Sequence, residues 1–488
     1  MTKIEEDKIE KQKRILKEVC RRVLFPLLAL LSRTNQSLEF KEMLFHANTK
    51  EIVNGILKDK KIILNKNSYN SIIRIMDNNN EIINNIREIY RTSPSNIIHQ
   101  LIAKHFLPSK EEKKDNAEIP TPLALVTEML ALVTEMLDKI PEEFWETPKR
   151  VFEPCCGKGN FVMKIFEKFY NGMAELYPDE NERCVVIINQ CMYFAYITPM
   201  NVFITTEILK CEIQSRTGIE EKEEEYKFNS YIGNTLELDV KKTFNVNKFD
   251  AVIGNPPYND SSGNKGKGHM LWDKFVMISL NKFVKENGYL VYVHPSVWRQ
   301  YVHPCLDIIK NKQVLYLEIH NVDDGQKTFR CATRYDWYVL QNKKNANNTI
   351  IKGEDGLISE IDLKEWDFIP NMMFDEIKKL ITDDEDNRLE LIHSESNYEV
   401  RRKWMSHTKT EKHIHPCVYS VNKQNIASFK WSNITTKGHF GICKFIFTNG
   451  AGFYCDGNGE YGLTQWASGI NDEKSNLPLI KNNAGNLK

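Results

Sequence analysis

The sequence predicts an α/β fold built on a parallel or mostly parallel sheet, and three observations carry that expectation. From about residue 119 short β-like runs alternate with longer helical stretches, the order of strand–helix–strand units. One run, Val151-Phe152-Glu153, ends in an acid, and a Gly-x-Gly turn then opens a helix through Pro154-Cys155-Cys156-Gly157-Lys158-Gly159-Asn160-Phe161. Another, Phe249-Asp250-Ala251-Val252-Ile253-Gly254, is an apolar strand that runs out into Asn-Pro-Pro-Tyr.

Residues 1 to about 115 read as helical, with apolar residues at three- and four-residue spacing and few Gly or Pro. Ser109 to Asn116 is a charged linker. The predicted strands are Arg150–Glu153, Cys184–Ile188, Asn229–Ile232, Phe249–Gly254, Tyr289–Pro295, Val314–His320 and Arg334–Leu340. Beyond about 345 the alternation breaks down. Residues 351–390 hold 13 acids against 5 bases, which reads as a solvated segment. Residues 391–488 reverse the balance, with 12 Lys/Arg against 7 Asp/Glu and 5 His, densest at Arg401-Arg402-Lys403-Trp404. Charge alone leaves two readings of that basic, aromatic stretch: a nucleic-acid surface or a small β-rich domain with an ordinary surface. Ala124–Leu130 and Ala131–Leu137 both read ALVTEML, a seven-residue duplication that lengthens a helix while nearly keeping its apolar face.

Length and composition are those of a soluble globular protein of two or three domains: 488 residues, 41% hydrophobic, 27% charged. Lys plus Arg equals Asp plus Glu at 66 each, so a polyanion-binding site must come from local segregation of charge. Eleven cysteines without a CxxC pair fit reduced thiols in a cytoplasmic compartment. The most apolar run, Val23 to Leu31, is too short to span a bilayer, and no membrane partner is expected.

The chemistry sits in two strings. In Asn255-Pro256-Pro257-Tyr258 the prolines fix φ and remove backbone donors, so the turn is rigid and its carbonyls point outward. There the Asn255 side-chain oxygen and the Pro256 carbonyl can each accept one N–H of a flat ring's amino group. That turns the nitrogen lone pair toward an electrophile, and Tyr258 offers a face for the ring. No strong base is needed, because positioning supplies much of the barrier reduction. In the other string the glycines allow close backbone approach to a ligand, and Glu153 suits a cationic ammonium better than a phosphate. Together these features favour S-adenosyl-L-methionine over a dinucleotide.

In order and spacing the two strings resemble the γ-type amino methyltransferases of restriction–modification systems, especially the Eco57I-like adenine-specific group. The resemblance implies a Rossmann-like S-adenosylmethionine-dependent methyltransferase fold, with a helical N-terminal domain (1–118), a catalytic domain (119–345) and a β-rich target-recognition domain (346–488). The polar end Asn482–Lys488 leaves open that the last of these is incomplete. It also implies that Thr121, in Ile119-Pro120-Thr121-Pro122, contacts the cofactor's methionine end. Glu153, Gly157 and Gly159 would line the cofactor loop, with Phe161 packing beside it. Asn234 would meet the adenine ring, and Asn255, Pro256, Pro257 and Tyr258 would form the catalytic turn. Gly288 to Trp298 resembles the following family strand and its exit, and Gly438-His439-Phe440-Gly441 with Lys444 the start of the recognition domain. The implied activity is methyl transfer to adenine N6 in double-stranded DNA, with the base flipped out, no metal, and a cognate restriction endonuclease as candidate partner.

The sequence departs from the family where an acid normally holds the ribose hydroxyls. Tyr196, in Tyr196-Ile197-Thr198-Pro199, stands in its place, and a phenol cannot accept two hydrogen bonds as a carboxylate does. Losing a charge-assisted bond costs roughly 1.5–3 kcal/mol. Either another acid such as Glu207 serves, or cofactor binding is weakened, which leaves a degenerate, non-catalytic DNA-binding homologue as one alternative. Methylation of cytosine N4, of a protein glutamine or of an RNA base are others. His294 and His439 read as turn or packing residues rather than metal ligands, and Cys155 and Cys156 as packing side chains rather than nucleophiles. The N-terminus shows no complete nuclease pattern; Glu39-Phe40-Lys41 fits only part of one.

Overall fold

The computed structural model describes residues 3–34, 38–59, 66–94, 97–98, 101–102, 123–218, 225–260, 269–301, 303–379, 381, 400–421 and 427–436. It also describes short strands within 452–470. The chain divides into two compact units, 1–378 and 379–488.

In the first unit the helices come first: α1 (Lys3–Val19), α2 (Phe25–Thr34), α3 (Phe40–Met43), α4 (Ala47–Asp59), α5 (Lys66–Asp77) and α6 (Asn80–Thr92). Every side chain of α2 from Leu27 to Leu30 is fully buried, because the helix is apolar all round and packs on α6 and, on another side, a helix of the sheet region. These helices therefore share one hydrophobic core with the sheet that follows. Next comes α7 (Leu123–Asp138), which spans both copies of the duplicated heptad. Met129 and Met136, equivalent in the two copies, are both buried, so the repeat extends one apolar face.

The sheet has nine strands: β1 (Val151–Glu153), β2 (Met192–Tyr196), β3 (Asn229–Ile232), β4 (Phe249–Gly254), β7 (Val284–Pro295), β8 (Lys312–His320), β9 (Tyr335–Lys344), β10 (Thr349–Lys352) and β11 (Ile358–Ile361). The two-residue β5 (Asn259–Asp260) and β6 (His269–Met270) pair separately. Their order across the sheet is β11-β10-β8-β9-β7-β4-β1-β2-β3. The five strands from β7 to β3 are parallel neighbours, and β9 lies antiparallel between β7 and β8. The remaining helices are α8 (Asn160–Gly172), α9 (Glu180–Val186), α10 (Pro199–Thr217), α11 (Val240–Phe244), α12 (Trp272–Ile278), α13 (Pro304–Lys310), α14 (Val322–Phe329) and α15 (Phe374–Lys378). No described helix is long and apolar enough to cross a membrane.

Two expectations need correction. Cys184–Ile188 is not a strand: it lies in α9 and the π-helical turn Ile187–Cys191, and the second strand is Met192–Tyr196. A short buried apolar run has no period that separates strand from helix. What decides here is upstream, where Asp179 caps α9 by accepting the Glu182 N–H at 2.8 Å. Nor is the acidic segment 351–390 solvated throughout, where it is described. β10 pairs in parallel with β8 and turns back as β11, and Trp366, Ile369 and Phe374 are buried. Its acids Asp355, Glu360, Glu365, Asp367, Asp375 and Glu376 sit on the exposed rim of that packed segment.

The second unit is antiparallel where described. β12 (Met405–Ser406), β13 (His415–Val421), β14 (Ala427–Ser432) and β17 (Gly469–Ile470) form one sheet, and β15 (Gly452–Cys455) with β16 (Tyr461–Thr464) a hairpin.

Candidate active site

The parallel order runs one way from β1 through β2 to β3 and the other way through β4 to β7, so the switch point lies between β1 and β4. In sheets of this kind a switch point, at the carboxyl ends of the strands, is where ligands bind. Both singled-out strings end at this point.

Glu153, the last residue of β1, is 1% exposed. Its Oε1 accepts the Cys155 N–H at 3.0 Å, and its Oε2 is buried with no partner. Burial pushes the carboxyl well above its ordinary range, against the pull of the Cys155 N–H. The loop beyond turns on Gly157 and Gly159, at φ 52° and 87°, a left-handed backbone that favours glycine. It is clamped from two sides. The Cys156 N–H donates to Ala195 O of β2 at 2.9 Å, and a Cβ on Gly159 would stand 3.2 Å from the Thr205 methyl of α10. Phe161 then packs into the core at the start of α8. Burial pushes the Cys155 thiol well up, with Glu153 and Cys156 adding to it, which favours the protonated thiol.

At the end of β4, Pro256 is buried and Asn255, Pro257 and Tyr258 are half-buried. Asn255 Oδ1 is buried and has no partner. The Tyr258 ring meets Phe329, the last residue of α14, edge-on at 6.1 Å, and its hydroxyl is buried without a partner. Burial raises that phenol, with Tyr335, Cys331 and Asp336 adding smaller contributions. The Tyr258 carbonyl accepts the Leu271 N–H at 3.1 Å, which fixes the exit of the turn.

Asn234 follows β3, but its side chain is engaged in its own turn. Oδ1 accepts the Leu236 N–H at 3.1 Å and Nδ2 donates to Glu237 Oε1 at 2.7 Å. The next residue, Thr235, donates its hydroxyl to Pro154 O at 2.8 Å and so ties the exit of β3 to the glycine loop. Tyr196 is the last residue of β2, the strand that replaces the expected Cys184–Ile188. Glu207 lies two residues on from Thr205, on the other face of α10, buried with Lys210 Nζ at 3.5 Å. Three residues at these strand ends and the turn were not singled out in the sequence. Ile197 and Ile232, one past the end of β2 and at the end of β3, are each 52% exposed. Phe329 reaches Tyr258 only through the fold, since nothing local links the two. Thr121, and Gly438 to Gly441 with Lys444, lie outside the described residues.

His294 is fully buried, stacked on Trp272 at 4.4 Å and bonded through both ring nitrogens, to Pro295 O and Tyr338 Oη, each at 3.1 Å. Burial lowers it to about 3, so it is a neutral packing residue. Among the described residues no three His, Cys, Asp or Glu are grouped to hold a metal. A cleft of about 840 Å³ lined by Asp138, Trp145, Lys164, Lys168 and Gly172 runs along α8.

Compared with known families, residues 190–329 match the Eco57I restriction-modification methylase. This segment is similar to that family. It takes in β2, β3, the Asn-Pro-Pro-Tyr turn and α14, while the glycine loop lies upstream of the match. No curated protein matches the chain. Among solved structures, a modification subunit of a putative type I restriction enzyme from Vibrio vulnificus is 12% identical over 56% of this chain and 55% of that one, with a TM-score of 0.38. A putative class I S-adenosylmethionine-dependent methyltransferase from Listeria monocytogenes is 11% identical over 70% and 92%, at 0.36. The DrdV chain, solved with DNA, is 13% identical over 71% and 41%, at 0.45. The chain thus spans about half the length of the Vibrio subunit. These superpositions are loose, and the strand order is what defines the Rossmann-like fold of the methylase segment and its flanks.

Proposed function

We propose that the protein transfers a methyl group from S-adenosyl-L-methionine to the N6 amino group of adenine in double-stranded DNA. The observation that carries this reading is the buried, unpartnered Asn255 Oδ1 at the end of β4. An acceptor left unpaired in the interior is costly, so a site that keeps one is built for a donor that arrives with the ligand. An exocyclic amine is such a donor, and Asn255 with the Pro256 carbonyl would take its two hydrogens. Tyr258 and Phe329 supply aromatic surface beside the turn for a base flipped from the duplex. The cofactor, when bound, supplies an electrophilic sulfonium methyl.

The residues present fit that cofactor at three points. Glu153 Oε2 is a second unpartnered buried acceptor, suited to the ammonium of the amino-acid end, and Gly157 and Gly159 let the backbone approach it. Ile197 and Ile232 offer apolar surface at adjacent strand ends, a place for the adenine ring. Exposed Arg401, Arg402 and Lys403 in the second unit supply a local basic surface for the duplex on this reading. A cognate endonuclease is the partner expected of the family.

Tyr196 favours a second reading, a homologue that binds DNA without transferring methyl. Purified protein, radiolabelled cofactor and unmethylated genomic DNA, followed by nucleoside analysis, separate the two. Label in N6-methyladenine is the expected result. DNA binding with no label and no cofactor binding by calorimetry would establish the second reading instead.

A further inference from the structure

We propose that Gly254 is a positioning residue for the Glu153 carboxylate: the missing side chain at the end of β4 is what lets that carboxylate reach across from β1 and face a cationic ligand group. The ligand part of this inference rests on the cofactor reading above.

A Cβ built on Gly254 would stand 2.3 Å from Glu153 Oε1 and 3.3 Å from its Cδ, so the carboxylate occupies the space an alanine methyl needs. The register explains why. Phe152 of β1 pairs with Val252 of β4, which puts Glu153 level with Ile253 and lets its side chain extend over the next residue along. Gly254 is not among the residues with positive φ, so alanine would meet no backbone strain there, and the one obstacle is the glutamate. An exposed glutamate would swing aside. Glu153 is 1% exposed and its Oε1 holds the Cys155 N–H, so displacement breaks that bond and carries Oε2 off its present aim. Shortening the acid by one methylene withdraws the carboxylate from β4. The size of residue 254 and the length of the acid at 153 should therefore depend on each other.

The test is a cycle of wild type, Gly254→Ala, Glu153→Asp and the double variant. Each is titrated by calorimetry with S-adenosylhomocysteine, which keeps the amino-acid end, and with 5′-deoxy-5′-methylthioadenosine, which lacks it. Thermal unfolding of each unliganded protein runs alongside. Gly254→Ala should weaken S-adenosylhomocysteine binding by about tenfold or more, as expected for loss of a charge-assisted contact, and leave the truncated nucleoside within about twofold. Its unfolding temperature should fall. In the double variant both quantities should return to those of Glu153→Asp. Unchanged binding in Gly254→Ala, equal losses for both nucleosides, or additive effects in the double variant would each overturn the proposal. Should the wild type bind neither nucleoside, the cofactor reading fails together with the assigned ligand. The unfolding cycle still decides on its own whether residue 254 places the carboxylate.

Discussion

At the carboxyl ends of β1, β2 and β3 the sheet leaves groups open, and along the same edge at β7 and β9 most groups are engaged, although Asp336 Oδ1 is buried without a partner there too. On the first side Glu153 Oε2 has no partner and Ile197 and Ile232 are half exposed. On the second, His294 is bonded at both nitrogens, and Arg299 donates to Asp336 Oδ2 at 2.7 Å, to the Ile369 and Pro370 carbonyls and to Asn371. Trp298 donates to the same carboxylate oxygen at 2.8 Å. Asn255 and Tyr258 stand between these regions and share the open character of the first, each with a buried oxygen unpaired. Hydrogen-bonded networks are rigid, so the second region, where one cation and one indole converge on Asp336, is the part expected to hold the edge in shape, and the first is the part proposed to take a ligand.

Three perturbations sharpen that contrast. The largest effect is expected in the open region. Asn255→Ala should lower methyl transfer to DNA by about 10²–10³-fold, the order seen when one preorganised partner of the reacting group is removed. Its unfolding midpoint should stay at or above that of the wild type, since a buried orphan acceptor is removed. Retained turnover would sink the mechanism.

In the closed region the effect should appear in stability. Arg299→Met leaves Asp336, fully buried, without its cation, and breaking such a pair costs about 3–5 kcal/mol. Denaturant unfolding should show this, and the double variant Arg299→Met/Asp336→Leu should recover much of it. Should Arg299→Met unfold like the wild type, the network would not be the scaffold described here.

The smallest effect is a pH dependence. Burial raises the folded-state pKa of Glu153, so the stability it contributes is present below the unfolded carboxylate range and is lost as pH rises through the folded value. A cationic ligand requires the ionised form. Cofactor affinity should therefore rise with pH, by up to about tenfold per unit, until that folded value is passed, and then level off. Glu153→Gln should flatten the profile. A wild-type profile that is already flat would remove Glu153 from the ammonium contact.

Much of this site could be read from the chain because its key groups are local. The glycines at 157 and 159 are dictated by backbone conformation within a few residues, and the stiffness of Asn255 to Tyr258 by two proline rings. The strands β1, β3 and β4 carry enough apolar character, bounded by turns, to be placed within a residue or so. Only the tertiary structure could decide the rest. Cys184–Ile188 became helix because burial erases the period that marks a strand, even though the Asp179 cap that begins the helix lies only five residues upstream. Phe329 came to face Tyr258 across 70 intervening residues through the packing of α14. Gly254 matters through a side chain one strand away, and the unpaired oxygens of Glu153 and Asn255 are unpaired only because the fold encloses them. The sequence by itself determined which chemistry stands at the strand ends. Which of those groups stay unsatisfied depended on long-range packing and solvent exclusion, which no local pattern of residues encodes.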